Sequence, residues 1–271
     1  MASEVAKVTQ QDFDLDKALK HVRDILSDNN DFNTVSKWSD LNTLTYKNGR
    51  YIANTALFVD IRESSQFLAS NDNRIVARLY RSYISEVIMI LKNHSCCNEI
   101  NIVGDCVSAI FTENEDLTQS NYNNDRSDII EALKSASMIR PTVDIINTLF
   151  SKKYDSYTPI KVGIGIASGK ALIIKTGQSR TGISKPIFLG ENVNLASHLC
   201  DKANTDGFSP VLVDEFIKKN STNYLAGPEP KHETFADWLN ESPEKIDEET
   251  CYGGDFYRIN IHDKLTELEN N

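Results

Sequence analysis

The sequence predicts an α+β fold, a mostly antiparallel sheet with flanking helices, and three observations carry that expectation. Short β-branched runs alternate with two long stretches of helical periodicity, in the order strand, helix, hairpin, helix, hairpin, strand, helix. Residues 100–103 and 107–111 are apolar runs on either side of Gly104-Asp105, the composition of a tight hairpin. Two apolar runs, Thr55-Ala56-Leu57-Phe58-Val59-Asp60 and Ile100-Asn101-Ile102-Val103-Gly104-Asp105, end on a carboxylate. A buried strand carries no charge without a partner, so each Asp is either a turn residue or half of a site.

Along the chain, residues 12–28 read as an amphipathic helix with Phe13, Leu15, Leu19, Val22, Ile25 and Leu26 on one side, broken by Asn29-Asn30-Asp31. Residues 1–48, with Trp38, Leu41 and Leu44 as further apolar anchors, are expected to form a helical extension to a main domain over 49–271. The extension packs on the main domain or on a second copy, or simply caps the core. A first strand is expected over 51–61, with Ser64 or Ser65 capping the helix that follows. Ile75, Val76, Leu79, Tyr83, Val87, Ile88 and Leu91 mark a long helix with a wide apolar face. After the hairpin, the Asn- and Asp-rich residues 113–125 read as a surface loop, and a second helix runs over 127–150 with a kink at Pro141. Residues 161–167 alternate as a strand, which Ser168-Gly169-Lys170 is expected to turn back into 171–175. A polar tip (177–182) leads to a strand at Ile187-Phe188-Leu189, and a helix opens at Gly190-Glu191. Residues 211–213 and 214–219 give a short strand and helix; Gly253-Gly254 reads as a turn before a closing strand over 256–261.

The 271 residues, 40% of them hydrophobic, suffice for a sizeable core. A net charge of -10 argues against a nucleic-acid-binding face, which must be basic. No apolar run reaches membrane-spanning length and the N-terminus has no signal-peptide pattern, so a cytoplasmic protein without a membrane partner is expected. Five scattered cysteines without CxxC spacing fit a reduced compartment and imply neither disulfides nor zinc.

Side by side at one sheet edge, Asp60 and Asp105 would hold Mg²⁺ or Mn²⁺, with the Ile61 carbonyl as a further oxygen ligand. A helix starting near residues 62–65 would turn its positive end toward the same space, where phosphates could lodge. That is the equipment for nucleotidyl transfer.

Phe58-Val59-Asp60-Ile61-Arg62, Ile102-Val103-Gly104-Asp105 and Gly190-Glu191-Asn192-Val193-Asn194-Leu195-Ala196-Ser197 resemble, in order and in near spacing, the three signatures of class III nucleotidyl cyclases. The resemblance covers residues 50–262. It implies a ferredoxin-like catalytic domain that pairs head to tail in a homodimer, with the site at the interface. Asp60 and Asp105 match the positions that hold two divalent ions, Mn²⁺ or Mg²⁺. Asn194 matches the Asn that orients the ribose from the opposite subunit. His198 stands where the family carries an Arg, and an imidazole is charged at neutral pH only when an anion raises its pKa.

Adenylate cyclases of this class read their base with a Lys and an Asp, and guanylate cyclases with a Glu and a Cys; the matching positions here are Asn101 and Ile187. The polar excursion over 174–183 and Phe188-Leu189-Gly190 resemble the pyrimidine cyclases of Pycsar antiphage systems, whose base-contacting Arg/Tyr position is matched by Arg50-Tyr51. Tyr51 either meets a uracil or packs a strand; Arg180, in the tip, touches the triphosphate or is a solvated loop charge. The resemblance thus implies conversion of UTP to 3′,5′-cyclic UMP and pyrophosphate, a messenger for a separate effector protein. The alternatives are CTP as substrate with cCMP as product, an adenylate cyclase, and a silent nucleotide-binding dimerisation module.

Overall fold

The computed structural model describes residues 12–27, 31–114, 122, 124–177, 184–227, 233–242 and 244–270. The chain forms two compact units, one from residues up to Ala53 with Lys170–Gly190, the other from Asn54–Gly169 and Glu191–Asn271. Strands β2 (Asn48–Ile61) and β5 (Val162–Gly177) run through both.

In the larger unit the strand order is β3-β4-β2-β5-β7-β9-β8, with β3 (Cys97–Val103), β4 (Cys106–Phe111), β7 (Val211–Asp214), β8 (Asn240–Glu241) and β9 (Cys251–Gly254). The β2–β4, β3–β4, β7–β9 and β8–β9 pairs are antiparallel, whereas β5 and β7 run parallel. Because strand side chains alternate, the sheet has two distinct faces. On one, Leu57, Val59 and Ile61, Val107, Ala109 and Phe111, and Ile164 and Ile166 form a core with Leu79, Tyr83 and Leu91 of one long helix and Ile129, Ile130, Leu133 and Ile139 of another. These helices are α3 (Asn73–Lys92), whose first turn is capped by the Asp72 carboxylate on the Arg74 N–H, and α4 (Ser127–Lys153), which continues through Pro141. The charges that α4 buries are partnered, as burial requires. Asp128 accepts from Arg126 and from the Thr55 hydroxyl, and Glu131 from His94, from the Tyr122 hydroxyl at 2.8 Å and from Lys134 at 3.1 Å.

The opposite face carries α5 (Glu191–Lys202), and glycines decide how closely it lies. A Cβ on Gly165 would stand 2.2 Å from the Ala196 carbonyl and from the Cys200 nitrogen; one on Gly163 would stand 2.5 Å from the Ala203 carbonyl. Only residues without a side chain let the helix backbone rest on β5 here. Ala196, Leu199 and Cys200 are consequently buried, while Asn194 and His198, one turn apart, are exposed.

Three local expectations are corrected. Ser168-Gly169-Lys170 does not turn; β5 continues through it. The Ser168 N–H donates to the Asp214 carboxylate (2.8 Å) and its hydroxyl meets that of Thr55 (3.1 Å), so the polar residues are satisfied inside the sheet. The closing strand is β9, with Gly253-Gly254 inside it; after the short α6 (Glu215–Lys219) and this strand comes helix α7 (Ile259–Asn270), held to α4 by the Arg258 N–H on the Ser137 carbonyl (2.8 Å). The helix after the first strand, α2 (Ser64–Ser70), is capped by neither serine: its N-cap is Glu63, in the left-handed region at φ 54°.

In the smaller unit, β1 (Asp31–Thr34) runs parallel to the first residues of β2, and β6 (Ser184–Leu189) pairs antiparallel with the end of β5. Trp38 stacks on Phe188 at 6.1 Å. Helix α1 (Leu15–Ser27) has the expected amphipathic pattern, yet buries none of its residues.

Candidate active site

Two pieces of backbone bring the carboxylates together. The register Val59↔Val107 between β2 and β4 brings the end of β2, and with it Asp60, up to the start of β4. There Val103 pairs with Cys106, leaving Gly104-Asp105 as a two-residue loop. Gly104 opens that loop at φ 65°, a conformation other residues adopt only with strain. Asp105 therefore lies beside Asp60, within hydrogen-bond reach.

The electrostatics follow from that crowding. Burial raises the Asp60 pKa, the Asp105 charge raises it further, and Arg62 only partly offsets them, so that it rises to about 6. One Asp105 oxygen, Oδ2, is buried without a hydrogen-bond partner. A native structure seldom leaves such an atom unpaired, and paired carboxylates with one unpaired oxygen are what a hard divalent cation satisfies. The donor set thus fits Mg²⁺ or Mn²⁺. Ile61 follows at the end of β2 with its side chain in the core, so only its carbonyl is a possible ligand. Among the described residues no group of three or more His, Cys, Asp or Glu side chains forms a metal site.

The two cysteines beside the carboxylates are held as thiols. Burial, followed by the Asp60 charge, pushes the Cys106 thiol to about 12, and burial also raises Cys200 far from the thiolate range.

Arg62 is the residue that sequence reasoning left without a role. It lies in the turn just past β2, two positions on from Asp60, and that nearness is the signal that could have found it. Its guanidinium donates to Asp60 Oδ2 (3.2 Å) and the Asp60 carbonyl (3.3 Å), and its other terminal nitrogen to the Asp201 carbonyl in the last turn of α5 (2.8 Å). Tyr80 was also missed: its buried hydroxyl has no partner, and burial and then the Asp105 charge raise its pKa. Its place on α3 beside Leu79 gave no signal.

Asn194 and His198 share the exposed face of α5, and His198 Nδ1 is paired with the Asp247 carboxylate. Asn101 lies on β3 opposite Ser108. The other proposed nucleotide contacts belong to the smaller unit. Arg50 is engaged by the carbonyl and carboxylate of Asp31 (3.2 and 3.4 Å), Tyr51 lies under the Lys170 ammonium at 5.2 Å, and Ile187 is exposed opposite Ile174. Arg180 lies outside the described residues. A cleft of about 1040 Å³ among Tyr224, Phe235, Trp238, Phe256 and Arg258 contains none of these groups, so it is set aside as the reaction site.

Comparison with known proteins bears on the same features. Residues 47–207 match the adenylate and guanylate cyclase catalytic domain. The chain is 34% identical over 257 residues to a uridylate cyclase of Gulbenkiania mobilis, covering 94% of this chain and 96% of that one. It is 29% identical over 215 residues to a uridylate cyclase of Treponema porcinum, covering 79% and 71%. Among solved structures, an adenylyl cyclase from P. aeruginosa superposes with a TM-score of 0.60 at 17% identity, over 78% of this chain and 97% of that one, a likeness of fold.

Proposed function

The chain belongs to the adenylate and guanylate cyclase catalytic domain family, and from that premise we propose that it converts UTP into 3′,5′-cyclic UMP and pyrophosphate. The observation that carries the reading is the Asp60–Asp105 pair with its unpartnered oxygen. The names of the two curated relatives support uracil as the base.

Asp60 and Asp105, with the Ile61 carbonyl, would hold two divalent ions, Mn²⁺ or Mg²⁺. Bound there, the ions supply Lewis acidity that acidifies the ribose 3′-hydroxyl and neutralises the triphosphate. The 3′-oxygen attacks the α-phosphorus in line; the bond to the bridging oxygen breaks, pyrophosphate leaves, and the hydroxyl proton passes to solvent. Asn194 and His198 lie exposed on α5, where a second copy can meet them, and a homodimer would lend each site these two side chains from the other subunit. Asn194 orients the ribose, and His198, oriented by Asp247, offsets developing charge. Resemblance to the pyrimidine cyclases supports Tyr51, Arg50, Asn101 and Ile187 as base contacts and Arg180 as a contact of the triphosphate. In this reading residues 1–48 are an extension of a catalytic domain over 49–271. The protein works in the cytoplasm without membrane or nucleic acid; no helix among the described residues is long and apolar enough to cross a membrane. Resemblance to Pycsar cyclases supports a role for the product as an antiphage signal to a separate effector.

Incubation with UTP, CTP, ATP and GTP in turn, with Mn²⁺, tests the reading. Cyclic UMP and pyrophosphate are expected from UTP. Cyclic CMP or cyclic AMP as the main product reassigns the base, and no cyclic product from any of the four leaves only nucleotide binding.

A further inference from the structure

We propose that Arg62 is a positioning residue that ties each subunit's metal carboxylate to the α5 helix which that subunit lends to its partner; this rests on the dimeric reading above. One planar guanidinium, its side chain only 11% exposed, bonds at one terminal nitrogen to Asp60 and at the other to the Asp201 carbonyl. The guanidinium fork is rigid, so the distance between these two acceptors is fixed by a single group. The Asp201 carbonyl belongs to the last turn of α5, where backbone oxygens lack intrahelical partners and the helix dipole favours a cation. Arg62 Nε is buried without a partner, so the guanidinium is held through its terminal nitrogens, which also meet the Asp60 carbonyl (3.3 Å) and Cys200 Sγ of α5 (4.0 Å).

Asn194 lies two turns from Asp201, about 10 Å along the same helix. A shift at the Arg62 end therefore moves the side chains presented at the other. Asp60 and Asn194 of one chain serve different sites in the dimer. Arg62 consequently links the occupancy of one site to the alignment of the other. When a divalent cation takes the Asp60 charge, the Arg62–Asp60 contact weakens and the guanidinium is left to α5.

Mixed dimers test this. One subunit carries Asn194→Ala with its carboxylates intact, the other Asp105→Ala with α5 intact, giving one complete site. Arg62→Gln is then placed only in the Asp105→Ala subunit, away from the carboxylates of the working site. The expected result is a fall in kcat for UTP on the order of ten- to a hundredfold, with KM and the Mn²⁺ midpoint unchanged. Arg62→Lys in the same place should recover part of the loss, since an ammonium still reaches the Asp201 carbonyl. In the metal-free homodimer, Arg62→Gln should speed amide exchange over 199–202, and Mn²⁺ should alter exchange there in the wild type only. An active mixed dimer indifferent to Arg62→Gln, or unchanged exchange, overturns the proposal. A silent parent mixed dimer overturns the dimeric reading and the proposal with it.

Discussion

Asp60 is held in the folded chain at a cost that a bound cation would remove. Its pKa rises to about 6 because burial and the neighbouring Asp105 disfavour the anion. The folded state therefore holds this proton more tightly than the unfolded chain does. The associated stability is fully present below the ordinary carboxylate pKa, declines as pH rises, and is lost above about 6. Metal-free Asp60→Asn should therefore melt higher than the wild type at pH 8, with the difference closing below pH 4. Mn²⁺ should raise the melting temperature of the wild type and leave the variant unmoved. Apparent Mn²⁺ affinity should weaken as pH falls through about 6, because protons then compete for Asp60; calorimetric titrations at a series of pH values measure this. Both carboxylates could be read from the sequence because each ends an apolar run. Arg62's grip on Asp201 and the loose Tyr80 hydroxyl could not, since they depend on which helices lie over the strand end.

The elements that matter most are β5 and α5, and their contact is a matter of missing side chains. Gly165→Ala places a methyl group 2.2 Å from the helix backbone, which must move away. Denaturant unfolding should show a loss of about 3 kcal/mol, accompanied by a lower kcat as α5 carries Asn194 out of place. The Glu131 network on α4 has a structural task instead. Burial would raise the Glu131 pKa, but the His94 bond, Lys134 and the Tyr122 hydroxyl outweigh it and bring it down to about 2. That contribution is present above pH 4.5 and is lost as pH falls through about 2. Glu131→Ala should cost about 4 kcal/mol, since it strands buried partners, and leave KM for UTP unchanged. Helix α3, helix α4 and the β3–β4 hairpin were all readable from periodicity and the Gly104-Asp105 turn. The continuous run of β5 was not, because the residues that satisfy Ser168 come from Asp214 and Thr55, far off in sequence. Nor was α7, because Tyr257, Ile259 and Ile261 alternate like a strand across its start.

The whole molecule, on the dimeric reading, is an obligate pair whose chemistry neither copy performs alone. The apolar stripe of α1, from Leu15 to Leu26, was evident in the sequence, whereas its exposure was not, because a pattern shows which face is apolar and not whether anything covers it. The family could be recognised from three short motifs in order; the base-reading groups could not be fixed the same way, since Tyr51 and Arg50 each have partners in the smaller unit that no motif specifies. The central claim is that Asp60 and Asp105 together hold the cation that cyclises the nucleotide. Its most direct test is turnover of UTP with Mn²⁺ by Asp105→Asn, beside a calorimetric Mn²⁺ titration of the same protein. The expected result is a folded protein with Mn²⁺ binding and cyclic UMP formation both abolished; wild-type turnover in that variant would contradict the account.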